Sequence, residues 1–367
     1  MMDVVITYCA LYTILIIFGR IGISRHFRRR RRKQQVKEDS GIPLTMISVI
    51  IPFRNEEKRI IPLLTSILES DELPARFIFV DDHSTDNTIQ QIRSQLSNYP
   101  ITLLTSKGAG KKAALQTGIA HAETAYLLTL DADVAFRSDY FTAVKKLSPA
   151  DMHILPVQMS SRGWKQLFEL DVYMVNSINL AVDGYSRPIA ASGANLLFSK
   201  SAFEEVGSYL SHAHISSGDD QFLLADFNHA KKNISLHTEA ILSVQTPVPE
   251  SFRELINQRV RWIQKTPAVR DSLALKIGAI QVVMTLLFLI LAVWSIYQYN
   301  VLLSILLLGT KIKTDHFFVS PYFSSIKKQG LLYWLPVYEL LFPFYMLLLA
   351  ILSLFFQLHW KGRPVDR

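Results

Sequence analysis

The sequence predicts an α/β domain built on a mostly parallel sheet and flanked by apolar segments long enough to cross a membrane. Three observations carry this. Short apolar runs alternate with helical stretches between residues 46 and 130, a pattern that builds parallel sheets. Two acidic pairs directly follow such runs: Asp81-Asp82 after F-I-F-V, and Asp131-Ala132-Asp133 after Y-L-L-T-L. In open α/β sheets, ligands sit at the carboxyl ends of the strands. Finally, both ends of the chain hold long apolar stretches. With 49% apolar residues and a mean hydropathy of +0.20, the composition exceeds that of a wholly soluble protein.

Residues 4–23 come close to the ~20 apolar residues that span a bilayer. The basic residues follow this stretch, where a signal peptide would have them in front. Arg25, Arg28 to Arg32, Lys33 and Lys37 stand with no acid among them and equal the chain's net charge of +8. Positive charge favours the cytoplasmic side, so the N-terminus is expected outside and residue 25 onward inside. A linear basic run beside an apolar segment suits anionic lipid heads and gives no surface for nucleic acid. Cys9 is the single cysteine, which excludes an intrachain disulfide and a cysteine metal site.

A polar connector ends in Gly41 and Pro43, and M-I-S-V-I-I-P then opens a strand buried on both faces. A helix is expected around 58–70, strands at 77–80, 101–104 and 126–130, and helices at 86–96 and 111–122, with Asp86 as a cap. Beyond residue 150 the periodicity is less regular. S-G-A-N-L-L-F-S at 192–199 reads as a strand and 218–230 as a helix. Residues 250–265 form a basic amphipathic helix suited to a membrane interface. Residues 277–297 and 335–358 can span, whereas Lys311, Lys313 and Asp315 interrupt 301–319. The expected parts are an anchor (1–24), a basic linker (25–45), an α/β domain (46–249), an interfacial helix (250–274), a membrane region (275–358) and a basic tail (359–367).

A third acidic pair, Asp219-Asp220, and then Gln258-Arg259-Val260-Arg261-Trp262 follow the first two pairs in order. Together these motifs resemble the family 2 glycosyltransferases in their membrane-bound form, with a GT-A (nucleotide-diphospho-sugar transferase, Rossmann-like) domain over residues 46–265. The family uses nucleotide-activated sugars and inverts the anomeric carbon. The resemblance places Asp82 in nucleotide binding, with Pro52, Asn55 and Glu56 lining the same pocket; a solvated helix start also explains Asn55 and Glu56. Asp131 and Asp133 look like the family's D-x-D, with Asp133 as the foremost ligand of Mg²⁺ or Mn²⁺, ions that take hard oxygen ligands. Asp220 maps to the general base, beside Asp219, which replaces the usual glutamate. Asn195, in a G-x-N segment, resembles part of the donor and acceptor pocket wall.

Lys107, Lys111 and Lys112 flank glycines where the family often has G-K-x-x-A-L, a helix start suited to an anion; a solvated helix face fits them equally. Gln258, Arg261 and Trp262 match Q-x-x-R-W, with a guanidinium fork for diphosphate oxygens and a flat ring for a sugar; snorkelling residues on an interface helix would look similar. His212 and His214 read as exposed loop residues. The expected activity is transfer from a nucleotide sugar, a UDP-sugar in the first instance, to a lipid or lipid-linked acceptor at the cytoplasmic membrane face. A processive polysaccharide synthase would use the same site. A reading of another class, a nucleotide-binding transport or scaffold protein, rests only on Lys311, Lys313 and Asp315.

Overall fold

A computed structural model describes residues 2–35, 41–207, 209, 218–269, 271–355, 359–360 and 363–364. His212 and His214 lie outside the described residues. The chain divides into two compact units, one containing Arg32–Ser160 and Ala190–Pro247, the other Met1–Arg31, Ser161–Ile189 and Val248–Pro364.

The first unit is the α/β domain. It begins β1 (Ile47–Phe53), α2 (Ile61–Leu68), β2 (Arg76–Asp81), α3 (Thr88–Gln95), β3 (Ile101–Thr105), α4 (Lys111–His121), β4 (Tyr126–Leu130) and α5 (Tyr140–Lys145), with α1 (Met2–Gln35) preceding them. Every residue of β1 is buried, as expected of a strand covered on both faces. Pro52 has no N–H to give, but the β1–β4 ladder ends at Ile50↔Thr129, so no ladder bond to β4 is lost there. Asp86 accepts from Thr88 N at 3.1 Å, although the residue at the cap of α3 is Asn87.

After residue 150 come β5 (Met152–Ile154), β6 (Val157–Met159), α6 (Gln166–Asp183), β7 (Asn195–Ser199), α7 (Lys200–Glu205), α8 (Asp219–His229), β8 (Ile234–Leu236) and β9 (Val244–Thr246). The seven-stranded sheet has the order β3-β2-β1-β4-β7-β5-β8. It is mixed: β1 to β4 pair in parallel, while β7 runs antiparallel to β4 and β5. The chain steps outward from β1 to β3 and then returns to β4 on the other side of β1. That reversal opens a crevice at the carboxyl ends of β1 and β4, where the D-A-D turn stands.

The second unit is helical: α1, α6, α9 (Phe252–Val269), α10 (Ser272–Tyr297), α11 (Val301–Ser325) and α12 (Leu335–Phe355). Residues 161–189, within the span 46–249, group here. Met2–Arg32, Ser272–Tyr297 and Gln329–Phe355 are long and apolar enough to cross a membrane. The basic run continues α1 without a break as far as Lys33, Lys37 lying outside the described residues, and His26 Nδ1 meets Asp183 at 2.6 Å. Gly22 and Gly184 let α1 and α6 touch, since a Cβ on Gly184 would stand 1.9 Å from Gly22 O.

The interrupted segment is a continuous helix, α11. Tyr12 donates to Asp315 at 2.6 Å, Arg20 lies over the Phe317 ring, and Phe318 packs where a Cβ on Gly19 would stand. Residue numbers rise together along both helices, so α1 and α11 run parallel. Lys311 Nζ lies 2.7 Å from Asp315 and 2.5 Å from Glu339 of α12. All three side chains are buried, and Lys313 is exposed.

Candidate active site

The sheet brings most of the proposed site residues to one end of the α/β unit. At the end of β2, Asp82 is buried and accepts from Gly110 N at 2.8 Å, while Arg54 Nη1 lies 3.8 Å from its other oxygen. This fixes the start of α4 against the end of β2. Asn55 adopts a left-handed conformation at φ 51° and its Oδ1 accepts from Thr85 N at 2.8 Å. Asparagine tolerates that region better than most residues. Glu56 is buried and pairs with Arg59 at 2.9 Å, so it is not a solvated helix start.

Lys111 links two acidic motifs. Its Nζ lies 2.7 Å from Asp131 Oδ1 and 3.6 Å from Asp219 Oδ2. Burial opposes its charge, but Asp131, Asp219 and Asp220 outweigh burial and hold the ammonium above the ordinary lysine range. The neighbouring lysines part company with it: Lys107 is exposed, and Lys112 is buried over the Phe222 ring at 4.4 Å.

Burial and the charges of Asp131 and Glu56 push the Asp133 carboxyl up to about 6, partly offset by Arg59. Among the described residues, no group of three His, Cys, Asp or Glu is arranged to hold a metal ion. A cation at the D-A-D turn would therefore draw on few protein ligands. The charge pattern fits one all the same: like charges crowd Asp133, and an ammonium already sits against Asp131.

Asp220 accepts from Gly193 N at 3.0 Å through Oδ2 and from Gln221 N at 2.8 Å through Oδ1. Burial and neighbouring Asp219 raise its pKa against the opposing effects of Lys111 and these two N–H groups. Gly193 has a steric reason to be glycine. A Cβ there would stand 2.9 Å from Asp219 Oδ2, 3.3 Å from Lys111 Nζ and 3.6 Å from Asp220 Cβ.

Asn195 is fully buried; its Oδ1 accepts from Tyr140 OH, and its Nδ2 donates to Pro156 O and Leu242 O. That amide is committed to holding the start of β7. Tyr209, which the motifs did not flag, is buried within electrostatic reach of Asp219, Lys111 and Asp220.

Gln258, Arg261 and Trp262 lie on α9 in the helical unit. Gln258 and Arg261 are half-buried and Trp262 is exposed. The buried member of this motif is Arg259, one of its unspecified positions. It pairs with Asp171 of α6 at 2.6 Å and stacks over the Trp262 ring at 4.3 Å.

Comparison with known proteins bears on the fold. The 4,4'-diaponeurosporenoate glycosyltransferase of Staphylococcus aureus (strain USA300) is 37% identical over 112 residues, which are 29% of this chain and 28% of the relative. The match thus spans little more than a quarter of that relative's length. A mannosyltransferase of Pyrobaculum calidifontis, solved in complex with GDP-Man and Mn²⁺, superposes with a TM-score of 0.54 at 19% identity, covering 90% of this chain and 99% of that one. That likeness is one of fold. Residues 48–207 match the family described as "Glycosyl transferase family 2", which is a little under half of the chain.

Proposed function

We propose that the chain is a membrane-bound inverting glycosyltransferase that moves a sugar from a nucleoside diphosphate to a hydroxyl of a lipid or lipid-linked acceptor at the cytoplasmic face. The observation that carries this is the arrangement around Lys111, which joins the D-A-D turn to the third acidic pair, with Asp220 held beside them by Gly193 N. A nucleoside diphosphate brings phosphate charge to the Lys111 ammonium. Asp82 and the β1 end line the place of base and ribose. Asp220 takes the proton of the acceptor hydroxyl as its oxygen bonds to the anomeric carbon. The bond from that carbon to the diphosphate breaks on the opposite face, which inverts the centre. Asp131 and Asp133 are the residues that would hold Mg²⁺ or Mn²⁺, and such an ion offsets the charge of the departing diphosphate.

Three helices of membrane-spanning length and the basic run after the first support the membrane placement. The relative that acts on 4,4'-diaponeurosporenoate supports a lipid-like acceptor, and the neighbour solved with GDP-Man supports a nucleotide-sugar donor. The test is transfer from a panel of radiolabelled nucleotide sugars, UDP-sugars first, into membrane lipid extract, with and without chelator. A discrete labelled lipid that disappears with chelator is expected. Label in a long polymer would favour the processive synthase, and no transfer from any donor would overturn the reading.

A further inference from the structure

Lys111 is the first residue of α4, and the cap before it, Gly110, has no side chain to offer the first turn. A cation at a helix start opposes the macrodipole, so this ammonium needs anions beside it. Asp131 Oδ1 at 2.7 Å and Asp219 Oδ2 at 3.6 Å supply them. Gly193 leaves the room for this, since a Cβ there would stand 3.3 Å from Nζ. All four residues belong to the α/β unit.

The contact with Asp131 takes an oxygen that a divalent cation at the D-A-D turn also needs. Such a cation bonds a carboxylate oxygen at about 2.1 Å. An ammonium on the same oxygen repels it and competes for the lone pairs. Few other protein groups stand ready, because among the described residues no three of His, Cys, Asp or Glu are arranged for a metal. Sharing one carboxylate with a lysine therefore weakens the hold on the cation. The lysine stem is flexible, and Asp219 is already near, so the head can leave Asp131 without leaving the cluster. A diphosphate offers the ammonium more negative charge than one carboxylate does, and it suits the start of a helix.

We propose that Lys111 couples the cation to the donor: its ammonium occupies Asp131 until a nucleoside diphosphate draws it off, so that cation and nucleotide each favour the binding of the other. This deepens the proposed transferase reading and rests on it. The coupling is reciprocal, as linkage requires. The nucleotide supplies a new acceptor for the displaced lysine, and its phosphate oxygens add ligands to a site sparse in protein ones. A cation alone is held weakly, and the complete set of charges assembles only with the donor.

The experiment reads binding, not turnover, on the full-length protein in detergent. Mn²⁺ is titrated by its EPR signal, which bound ions lose, with and without UDP or GDP, and nucleotide affinity is measured at saturating Mn²⁺. Couplings between two ligands typically amount to about 5–150-fold. Lys111→Met is expected to bind Mn²⁺ alone about tenfold tighter than wild type, and UDP or GDP about tenfold more weakly at saturating Mn²⁺. Lys111→Arg keeps the charge and should stay near wild type. Lys107→Met removes an exposed lysine just ahead of α4; screened by solvent, it should change Mn²⁺ affinity by less than about twofold. If Lys111→Met does not fold, Lys111→Gln carries the same comparison. Mn²⁺ affinity that is unchanged or lower in the neutral variant overturns the inference, because a role confined to the fold or to donor binding predicts that result. An equal gain in Lys107→Met overturns it too, since the effect is then one of net charge. If wild type binds neither Mn²⁺ in the presence of nucleotide nor nucleotide in the presence of Mn²⁺, the metal-dependent transferase reading itself fails, and the coupling with it.

Discussion

Replacing Asp220 by Asn tests the base assignment most directly, and the structure shows that it changes two things at once. The carboxylate uses each oxygen for one backbone donor, Gly193 N at 3.0 Å and Gln221 N at 2.8 Å. Asparagine keeps one acceptor oxygen and turns an NH₂ toward the other donor. One of the two bonds is lost, which costs about 1–3 kcal/mol of stability for a buried group. Part of that is returned. The Asp220 pKa is raised by burial and by Asp219, so its ionised form weakens the fold, and that penalty sets in as pH rises through the raised pKa. A neutral amide does not incur it. The catalytic loss is separate. General-base assistance is worth ~10²–10⁴ in rate, equivalent to about 2.7–5.4 kcal/mol of activation free energy. The assay is radiolabelled transfer in detergent at saturating donor and divalent cation, beside donor affinity and a melting curve. Turnover should fall by about two to four orders of magnitude, with donor affinity little changed and a modest drop in Tm. In the wild type, turnover should fall on acidification through a pKa above the usual carboxylate range. Turnover within about twofold of wild type would refute the assignment, since general-base help is far larger than that. Loss in Asp219→Asn with Asp220→Asn intact would reverse the roles within the pair.

Gly193→Ala places a methyl 2.9 Å from Asp219 Oδ2 and 3.3 Å from Lys111 Nζ; turnover is expected to drop about ten- to a hundredfold while the protein still folds, and unchanged kcat would show that the contact is not tight in solution. Lys311→Met leaves the buried Asp315 and Glu339 facing each other without their cation; a thermal melt in detergent should show a loss of about 3–5 kcal/mol, and an unaltered melting point would contradict the pairing. A reporter inserted after residue 40 should resist externally added protease in intact cells, because the basic run precedes it; cleavage without permeabilisation would invert the proposed orientation.

The first four strands were readable because each is an apolar run interrupted at most by one small hydroxyl residue (Ser48, Thr102 or Thr129), and their boundaries agree to within a residue or two. The site motifs were readable for the same reason, since acids directly after such runs stand at a sheet's carboxyl end. What the sequence concealed was polar residues buried by distant partners. Helix α6 escaped notice because Glu169, Asp171 and Asn179 are buried on it and blur its apolar face. Glu169 pairs with Lys328 and Asp171 with Arg259, both far along the chain. The same effect made Lys311 and Asp315 look like a break in a span, although they point inward from a continuous helix. Lys112 would have passed for a solvated residue, yet it is buried over Phe222.

The linking element of the site is also one that no acidic motif contains. The D-A-D turn and the Asp219-Asp220 pair lie far apart in sequence, the first just after β4 and the second at the start of α8. Gly193 joins them through its backbone. Its carbonyl accepts from the buried Thr129 hydroxyl at 3.0 Å, on the strand that delivers Asp131, and its N–H donates to Asp220 at 3.0 Å. The absent side chain leaves the space in which Lys111 approaches Asp219. The backbone of a single residue thus ties the strand that leads to the residues proposed to hold a metal to the residue proposed to take the acceptor's proton. Backbone groups beside a sheet reorganise less than side chains, and reaction geometry tolerates errors of only about 0.5 Å. That link is a main-chain one, made just ahead of β7 to the neighbouring strand β4 and to α8, so substitution of the side chains around it leaves its two hydrogen-bonding groups in place.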